Sequence, residues 1–227
     1  MPIFPGESEM PMNRYDLVIF DLDGTLLDSA EGLFRSLKNT IEEAGLPPLS
    51  DEVLSTFLGP PVEFSFRRYY DPTEEQLAAL CAAFRKTYTE RFLFVASPYE
   101  GIFDVFAGLR ERGIMPAVAT YKRHTYAIPL LKHFGFDRYT DILYGQSLPE
   151  LSQKSDIIRR CITDAGVTDL SRVLMVGDTI HDAGGAAALG VDFLGVTYGF
   201  GLKTDEEKKK HPSIGMAETA PDILNFV

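Results

Sequence analysis

The chain has no tryptophan, and only two cysteines and four histidines in 227 residues. Two cysteines exclude a disulfide framework. Cys81 and Cys161 both fall in apolar-periodic stretches, where they read as small buried hydrophobes. That usage fits a reducing, cytoplasmic compartment. Without a His or Cys cluster, a soft-metal site is excluded as well. No segment is long and apolar enough to span a bilayer, and residues 1–14 lack the apolar core of a signal peptide, reading instead as a frayed lead-in. Positive charge is also short. Against 33 Asp and Glu stand 22 Lys and Arg, a formal net charge of -11, which repels nucleic acid and anionic membrane. Any anionic ligand must therefore be met by locally gathered positive charge. No internal repeat or low-complexity tract is present, and Asp205–His211, the nearest to a charge run, reads as a solvated helix or loop.

What is present is a rhythm of short apolar runs. Tyr15–Phe20, Ile114–Thr120, Arg172–Gly177 and Asp192–Thr197 lack polar alternation, as do strands buried on both faces of a parallel sheet. Asp141–Tyr144 is a weaker fifth. Helical patterns over Ile102–Arg112, Thr125–Phe134, Ser155–Ala165 and Asp182–Leu189 separate them, which predicts a doubly wound α/β sheet. The first strand breaks this rhythm, because the following stretch is helical. Ser29–Ala44 carries Leu33, Leu37 and Ile41 at helical spacing, with Gly45 as a stop. Gly59-Pro60-Pro61 is a turn-rich break. Thr73 and Gln76 form a capping box opening a helix over Glu74–Phe92. The organisation predicted is an α/β core of residues 1–27 and 99–227, interrupted by an all-helical cap over residues 28–98.

In an open parallel sheet, ligands bind beyond the carboxyl ends of the strands. There stand Asp21-Leu22-Asp23-Gly24-Thr25 after the first strand, Thr120-Tyr121-Lys122 after the second, and Asp178-Thr179-Ile180-His181-Asp182 after the Arg172–Gly177 strand. Lys154 opens the helix preceding that last strand. Carboxylates gathered this closely require a counter-ion, and oxygen-only donors suited to a phosphate site favour Mg²⁺. A carboxylate can attack phosphorus to form an aspartyl-phosphate, and a second, two residues on, can protonate the leaving oxygen. Gly24 lets the chain turn close to a ligand and Thr25 adds a hydroxyl, while Thr120 and Lys154 are donors suited to phosphoryl oxygens.

These motifs, in this order, resemble those of the haloacid dehalogenase-like superfamily, and within it the capped phosphoglycolate phosphatase-like group. The resemblance runs from Tyr15 to about Gly201. It implies a Rossmann-like core with a cap inserted after the first strand. It also implies Asp21 as nucleophile and Asp23 as general acid/base, with the Asp23 backbone carbonyl lent to Mg²⁺. Thr120 and Lys154, with Gly24 and Thr25, would bind phosphate, Asp21 and Asp178 would ligate the metal and Asp182 would support the site. The activity implied is hydrolysis of a small phosphorylated metabolite. Phosphosugar mutase, pyrophosphatase and 5'-nucleotidase activities remain open, as do oligomeric state and a non-catalytic regulatory role. Dehalogenation does not need the acid that Asp23 supplies, and neither Lys38 nor Lys86 sits in a Schiff-base motif.

Two features depart from the family pattern. Tyr121 stands where related phosphatases often carry Asn, near the expected cap interface, which makes it a candidate for reading the substrate, and Gly184-Gly185 would weaken a helix start. Arg67 and Arg68 are candidates for reading a second anionic group, although on a helix they diverge by about 100°, so at most one faces inward, and a surface salt bridge is the competing reading for each. Phe64, Phe66 and Phe84 read as core, and His181 as facing solvent or the cap.

Overall fold

The computed structural model describes residues 13–59, 62–147 and 153–227. Most of the expected lead-in and the Pro60-Pro61 break lie outside these residues. The chain begins with β1 (Leu17–Phe20) and the two-residue β2 (Leu27–Asp28), then turns helical through α1 (Ala30–Glu43), α2 (Asp51–Ser55), α3 (Val62–Tyr70) and α4 (Glu74–Thr87). It returns through β3 (Ser97–Pro98) and alternates: α5 (Ile102–Glu111), β4 (Met115–Arg123), α6 (His124–Phe134), β5 (Leu143–Gln146), α7 (Lys154–Ala165), β6 (Val173–Gly177), α8 (Ile180–Leu189) and β7 (Asp192–Val196). The short α9 (Asp205–Lys209) and β8 (Gly215–Ala217) follow.

Six strands form one parallel sheet in the order β5-β4-β1-β6-β7-β8. The central β1 pairs with β4 on one side and β6 on the other, Leu17 lying opposite both Met115 and Val173. All four of its residues are fully buried, as an uninterrupted apolar run requires. Val18 and Phe20 share one face with Val118, Leu174 and Val176, covered by Val105, Phe106 and Leu109 of α5 and by Leu130 and Leu131 of α6. Leu17 and Ile19 share the other face with Ala117, Ala119 and Met175, covered by Ile157, Ile158 and Cys161 of α7 and by Ala183 and Ala186 of α8. The sheet is doubly wound, as the sequence predicts, and both cysteines are buried and unpaired.

Differences from the sequence reading have local causes. β4 runs three residues beyond Thr120, and its register against β5 shifts between Thr120 and Arg123. β5 begins two residues later than Asp141. β8 carries no apolar run and joins the sheet only at its edge. The predicted helix Glu74–Phe92 is α-helical to Thr87 and then widens into a π turn over Tyr88–Phe92. The Thr73–Gln76 capping box is present. Phe66 and Phe84 are buried, but Phe64 is 67% exposed, because the α3 face towards α4 is taken by Ser65 and Phe66. The helical stretch leaves at β2 and returns at β3, which pair antiparallel, Leu27 with Pro98 and Asp28 with Ser97. No helix among the described residues is long and apolar enough to cross a membrane.

Phe106 joins α5 to the sheet. It is fully buried, stacked on Phe20 at 4.9 Å and edge-on to Phe136 at 5.3 Å. Phe106→Ala should lower unfolding stability by about 3–5 kcal/mol, read from the midpoint of urea denaturation with the m-value unchanged.

Candidate active site

The functional residues sit at the carboxyl ends of the central strands. Asp21 follows β1 directly, and its amide donates to the Val176 carbonyl at 2.9 Å, which ties the turn to β6. Its side chain is buried, and Oδ1 lies 2.5 Å from Lys154 Nζ. The same ammonium lies 2.6 Å from Oδ1 of Asp182. Lys154 is the first residue of α7, and its amide donates to the Tyr121 hydroxyl at 2.9 Å. Tyr121 thus anchors the helix end that presents the lysine. Gly185 has a reason here too. A Cβ on it would stand 2.9 Å from Lys154 Cγ and 3.0 Å from Ile158 Cδ1, so the glycine lets α8 approach α7 at the lysine stem. Gly184 meets nothing closer than 3.5 Å.

Asp178 is fully buried after β6. Its Oδ2 accepts from the amides of Phe200 at 2.7 Å and Gly201 at 3.1 Å, and Thr25 Oγ1 donates to its Oδ1 at 3.4 Å. Gly24 has φ +86°, and a Cβ on it would stand 2.3 Å from Asp178 Oδ2, so only glycine fits. The amides of Gly24 and Thr25 are engaged by the Leu27 and Leu22 carbonyls, at 2.8 and 3.3 Å. These two residues build the turn and hold Asp178; the phosphate contact expected of them is not available through these amides. Asp182 accepts from the Thr179 amide at 3.0 Å and hydroxyl at 2.6 Å, closing the capping box that starts α8.

Asp23 faces a different cation. Lys122 Nζ bonds both its oxygens, at 3.1 and 2.9 Å, and Ser29 Oγ donates to Oδ1 at 2.6 Å. Lys122 lies on the same side of β4 as the buried Thr120, whose Oγ1 accepts the Lys122 amide at 3.1 Å. Tyr88, in the π turn after α4, covers Lys122 with its ring centroid 4.8 Å from Nζ.

The family model for haloacid dehalogenase-like hydrolases matches residues 18–196. The chain belongs to that family. It is 34% identical to the tyrosine-protein kinase PtkA of Mycobacterium tuberculosis over 96% of this chain and 72% of that protein. The solved PtkA structure superimposes with a TM-score of 0.80, at 30% identity over 94% of this chain and 98% of that one. It is also 33% identical to a 5'-nucleotidase of Pseudomonas aeruginosa, covering 91% and 93% of the two chains. With a phosphoglycolate phosphatase of Agrobacterium fabrum it shares 34% identity over 92% and 87%.

The haloacid dehalogenase-like arrangement leaves Arg67 and Arg68 outside. Both are exposed, Arg67 paired with Glu74 at 2.6 Å and Arg68 over the Tyr69 ring at 5.5 Å. The surface salt bridge is the outcome for Arg67. His181 is exposed and packs edge-on to Tyr121 at 5.6 Å. The residues that sequence reasoning missed are Lys122, Ser29, Tyr88 and the Phe200 and Gly201 amides. Only Lys122 left a signal, two places after Thr120 on a strand where i and i+2 share a face.

Charge settles what the pocket can hold. Four carboxylates (Asp21, Asp23, Asp178, Asp182) face two ammonium groups (Lys122, Lys154), a deficit of two charges. Burial pushes both lysines down, but their carboxylate partners outweigh it and hold them protonated, above the ordinary lysine range. The single positive charge of Lys154 bonds both its partners but cannot neutralise both. Burial, with Asp182 and Asp178 adding to it and Lys154 opposing, raises Asp21 to about 8. Burial and Asp182 raise Asp178 to about 6, against the pull of the Gly201 and Phe200 amides. Oxygens of Asp21, Asp178 and Asp182 lie within 4.8 Å of one another. An all-oxygen set two positive charges short fits a hard divalent cation.

Both shifts are upward, so without a cation the folded state binds protons more tightly than the unfolded state. Stability should therefore fall as pH rises from about 4 through 6, where Asp178 ionises, to about 8, where Asp21 does. Lys154 stays charged throughout that window. Thermal melts in chelator should show Tm falling from pH 5 to pH 8, and added Mg²⁺ should raise Tm more at pH 8 than at pH 5.

Proposed function

We propose that this phosphatase hydrolyses a small phosphate monoester through a phospho-Asp21 intermediate, with Asp23 as acid and base. The observation that carries the reading is that two carboxylates from one turn, Asp21 and Asp23, face separate buried cations. In this reading one carboxylate attacks and the other, two residues away, transfers the proton. Asp21 attacks phosphorus while Asp23 protonates the departing oxygen, and Asp23 then takes a proton from the water that cleaves the intermediate. Thr120 Oγ1 and the Lys154 ammonium are the donors for the phosphoryl oxygens. Asp21, Asp178 and the Asp23 carbonyl would hold Mg²⁺, with Asp182 in support. Bound there, Mg²⁺ supplies positive charge against which phosphate oxygens are neutralised.

The helices between β2 and β3 act in this reading as a cap that excludes water and selects the leaving group. The partner is a small phosphorylated metabolite, and the charge of -11 opposes nucleic acid. Two buried free cysteines support a cytoplasmic setting.

The test is phosphate release with Mg²⁺ across phosphoglycolate, sugar phosphates, nucleoside monophosphates, pyrophosphate and O-phosphotyrosine, comparing wild type with Asp21→Asn. The nucleotide and phosphotyrosine arms follow from the names of the relatives. Selective turnover that falls below about one-thousandth in Asp21→Asn, and stops with chelator, is the expected result. Silence across the panel would favour a non-catalytic binding role.

A further inference from the structure

The proton donor of this site is not free to move, and what holds it reaches into the helices. Asp23 is gripped on both oxygens by Lys122, and on Oδ1 also by Ser29. Lys122 comes from the part of β4 that extends past Thr120, where the register with β5 shifts. Such irregularities bend a strand and re-aim side chains beside active sites. The Lys122 side chain is only 7% exposed. Its far side is closed by Tyr88, which is 3% exposed, lies stacked on Phe84 at 5.9 Å and stands edge-on to Tyr126 of α6 at 6.3 Å. The Tyr88 hydroxyl is the one buried side-chain polar atom among the described residues without a hydrogen-bond partner at full geometry. Lys122 is the nearest charge acting in its favour. A buried orphan hydroxyl costs stability, and Tyr88 sits where the helix widens into a π turn, a distortion frequent at functional sites.

We propose that Lys122 is a positioning residue that aims the Asp23 carboxyl at the leaving oxygen, and that Tyr88 holds Lys122 in place from the cap, so that the proton donor is assembled only when these helices are docked. The inference rests on Asp23 being the donor. In the first half-reaction the Asp21 oxygen–phosphorus bond forms as the bond from phosphorus to the leaving oxygen breaks. The Asp23 proton passes to that oxygen and leaves a carboxylate beside the Lys122 ammonium. In the second half, water gives a proton to Asp23, its oxygen bonds phosphorus, and the Asp21–phosphorus bond breaks. Lys122 and Tyr88 touch neither phosphorus nor the leaving group in this scheme; they act through Asp23.

Leaving-group dependence separates this role from a structural one. The nitrophenolate of p-nitrophenyl phosphate departs without a proton, whereas the alkoxide of glycerol phosphate needs one. The experiment measures kcat/KM, which reports the first half-reaction, on p-nitrophenyl, phenyl and glycerol phosphates. The proteins are wild type, Asp23→Asn, Lys122→Met, Lys122→Arg, Tyr88→Phe and Tyr88→Leu, each Mg²⁺-loaded, with Tm recorded. Lys122→Met should lose about a hundredfold or more on glycerol phosphate, in the range of general acid catalysis, and far less on p-nitrophenyl phosphate. It should match the pattern of Asp23→Asn, and Lys122→Arg should restore part of the loss. Tyr88→Phe removes only the unpartnered hydroxyl and keeps the ring over Lys122, so it should keep or raise Tm and retain activity. Tyr88→Leu removes the ring and should lose about tenfold on the alkyl ester and far less on p-nitrophenyl phosphate. Equal losses on all three esters, or a folded Tyr88→Leu protein with undiminished activity on glycerol phosphate, would overturn the proposal. If Asp23→Asn itself loses equally on all three, the donor reading fails and takes the inference with it.

Discussion

One ammonium group, that of Lys154, stands between the buried carboxylates of Asp21 and Asp182, and the packing of several elements serves to keep it there. A charge removed from water is costly unless it is paired and hydrogen-bonded. The lysine is therefore held at both ends. Its backbone is fixed by the Tyr121 hydroxyl from β4, and its stem is admitted by Gly185 of α8. Its head meets one carboxylate from the end of β1 and one from the first turn of α8. Asp182 is itself fixed by the Thr179 cap, and a Cβ on Gly177 would stand 2.4 Å from its carboxyl carbon. Four elements thus converge on one charge. Removing it would leave two buried carboxylates unpaired, a larger cost than the loss of one contact.

The remaining charges follow the same logic with different holders. Asp178 has no lysine within bonding distance among the described contacts; it is held by the backbone amides of Phe200 and Gly201, and by the close approach of Gly24 and Gly199. Backbone donors add no mobile charge, which leaves this carboxylate available to a cation. Asp23 has the second lysine. The result is four acids with three kinds of support: a shared ammonium for Asp21 and Asp182, amide hydrogen bonds for Asp178, and an ion pair reaching towards the helices for Asp23. Raised values at Asp21 and Asp178 are the electrostatic mark of a pocket still two charges from neutrality.

The sequence made the core legible because β1, β4, β6 and β7 are buried on both faces, and such strands write themselves as unbroken apolar runs. β8 could not be read that way, since Gly-Met-Ala at an edge carries no such pattern. Asp21 and Asp178 were legible because each follows a strand end directly, and Asp23 and Asp182 because they lie a few residues further along the same turns. Lys122 stood in plain view beside Thr120, but its importance depends on β4 continuing past the expected end, which only pairing with β5 reveals. Tyr121 registered as a substrate-reading departure and Gly185 as one without a reason, while the contacts that both make in the fold lie at Lys154. Phe64 was misread because composition says that phenylalanines pack, while only the phase of α3 says which ones face α4.

The π turn at Tyr88–Phe92 joins these themes. Widening a helix weakens its hydrogen bonding, so such a turn persists where tertiary contacts hold it. Here the aromatic contacts of Tyr88 with Phe84 and Tyr126, and the Lys122 ammonium beneath the ring, provide them. Phe84 belongs to the helical insertion, Tyr126 and Lys122 to the α/β core. The stretch of helix that covers Lys122 is thus also the one whose geometry depends on contacts with the α/β core. A ligand that prevented these helices from settling would not need to touch Asp23 to disable it. It would be enough to withdraw the aromatic ring from Lys122. Exposed to water, that ammonium would exchange part of its bond to Asp23 for solvent. Selection of the leaving group and the chemistry performed on it would then depend on the same contact.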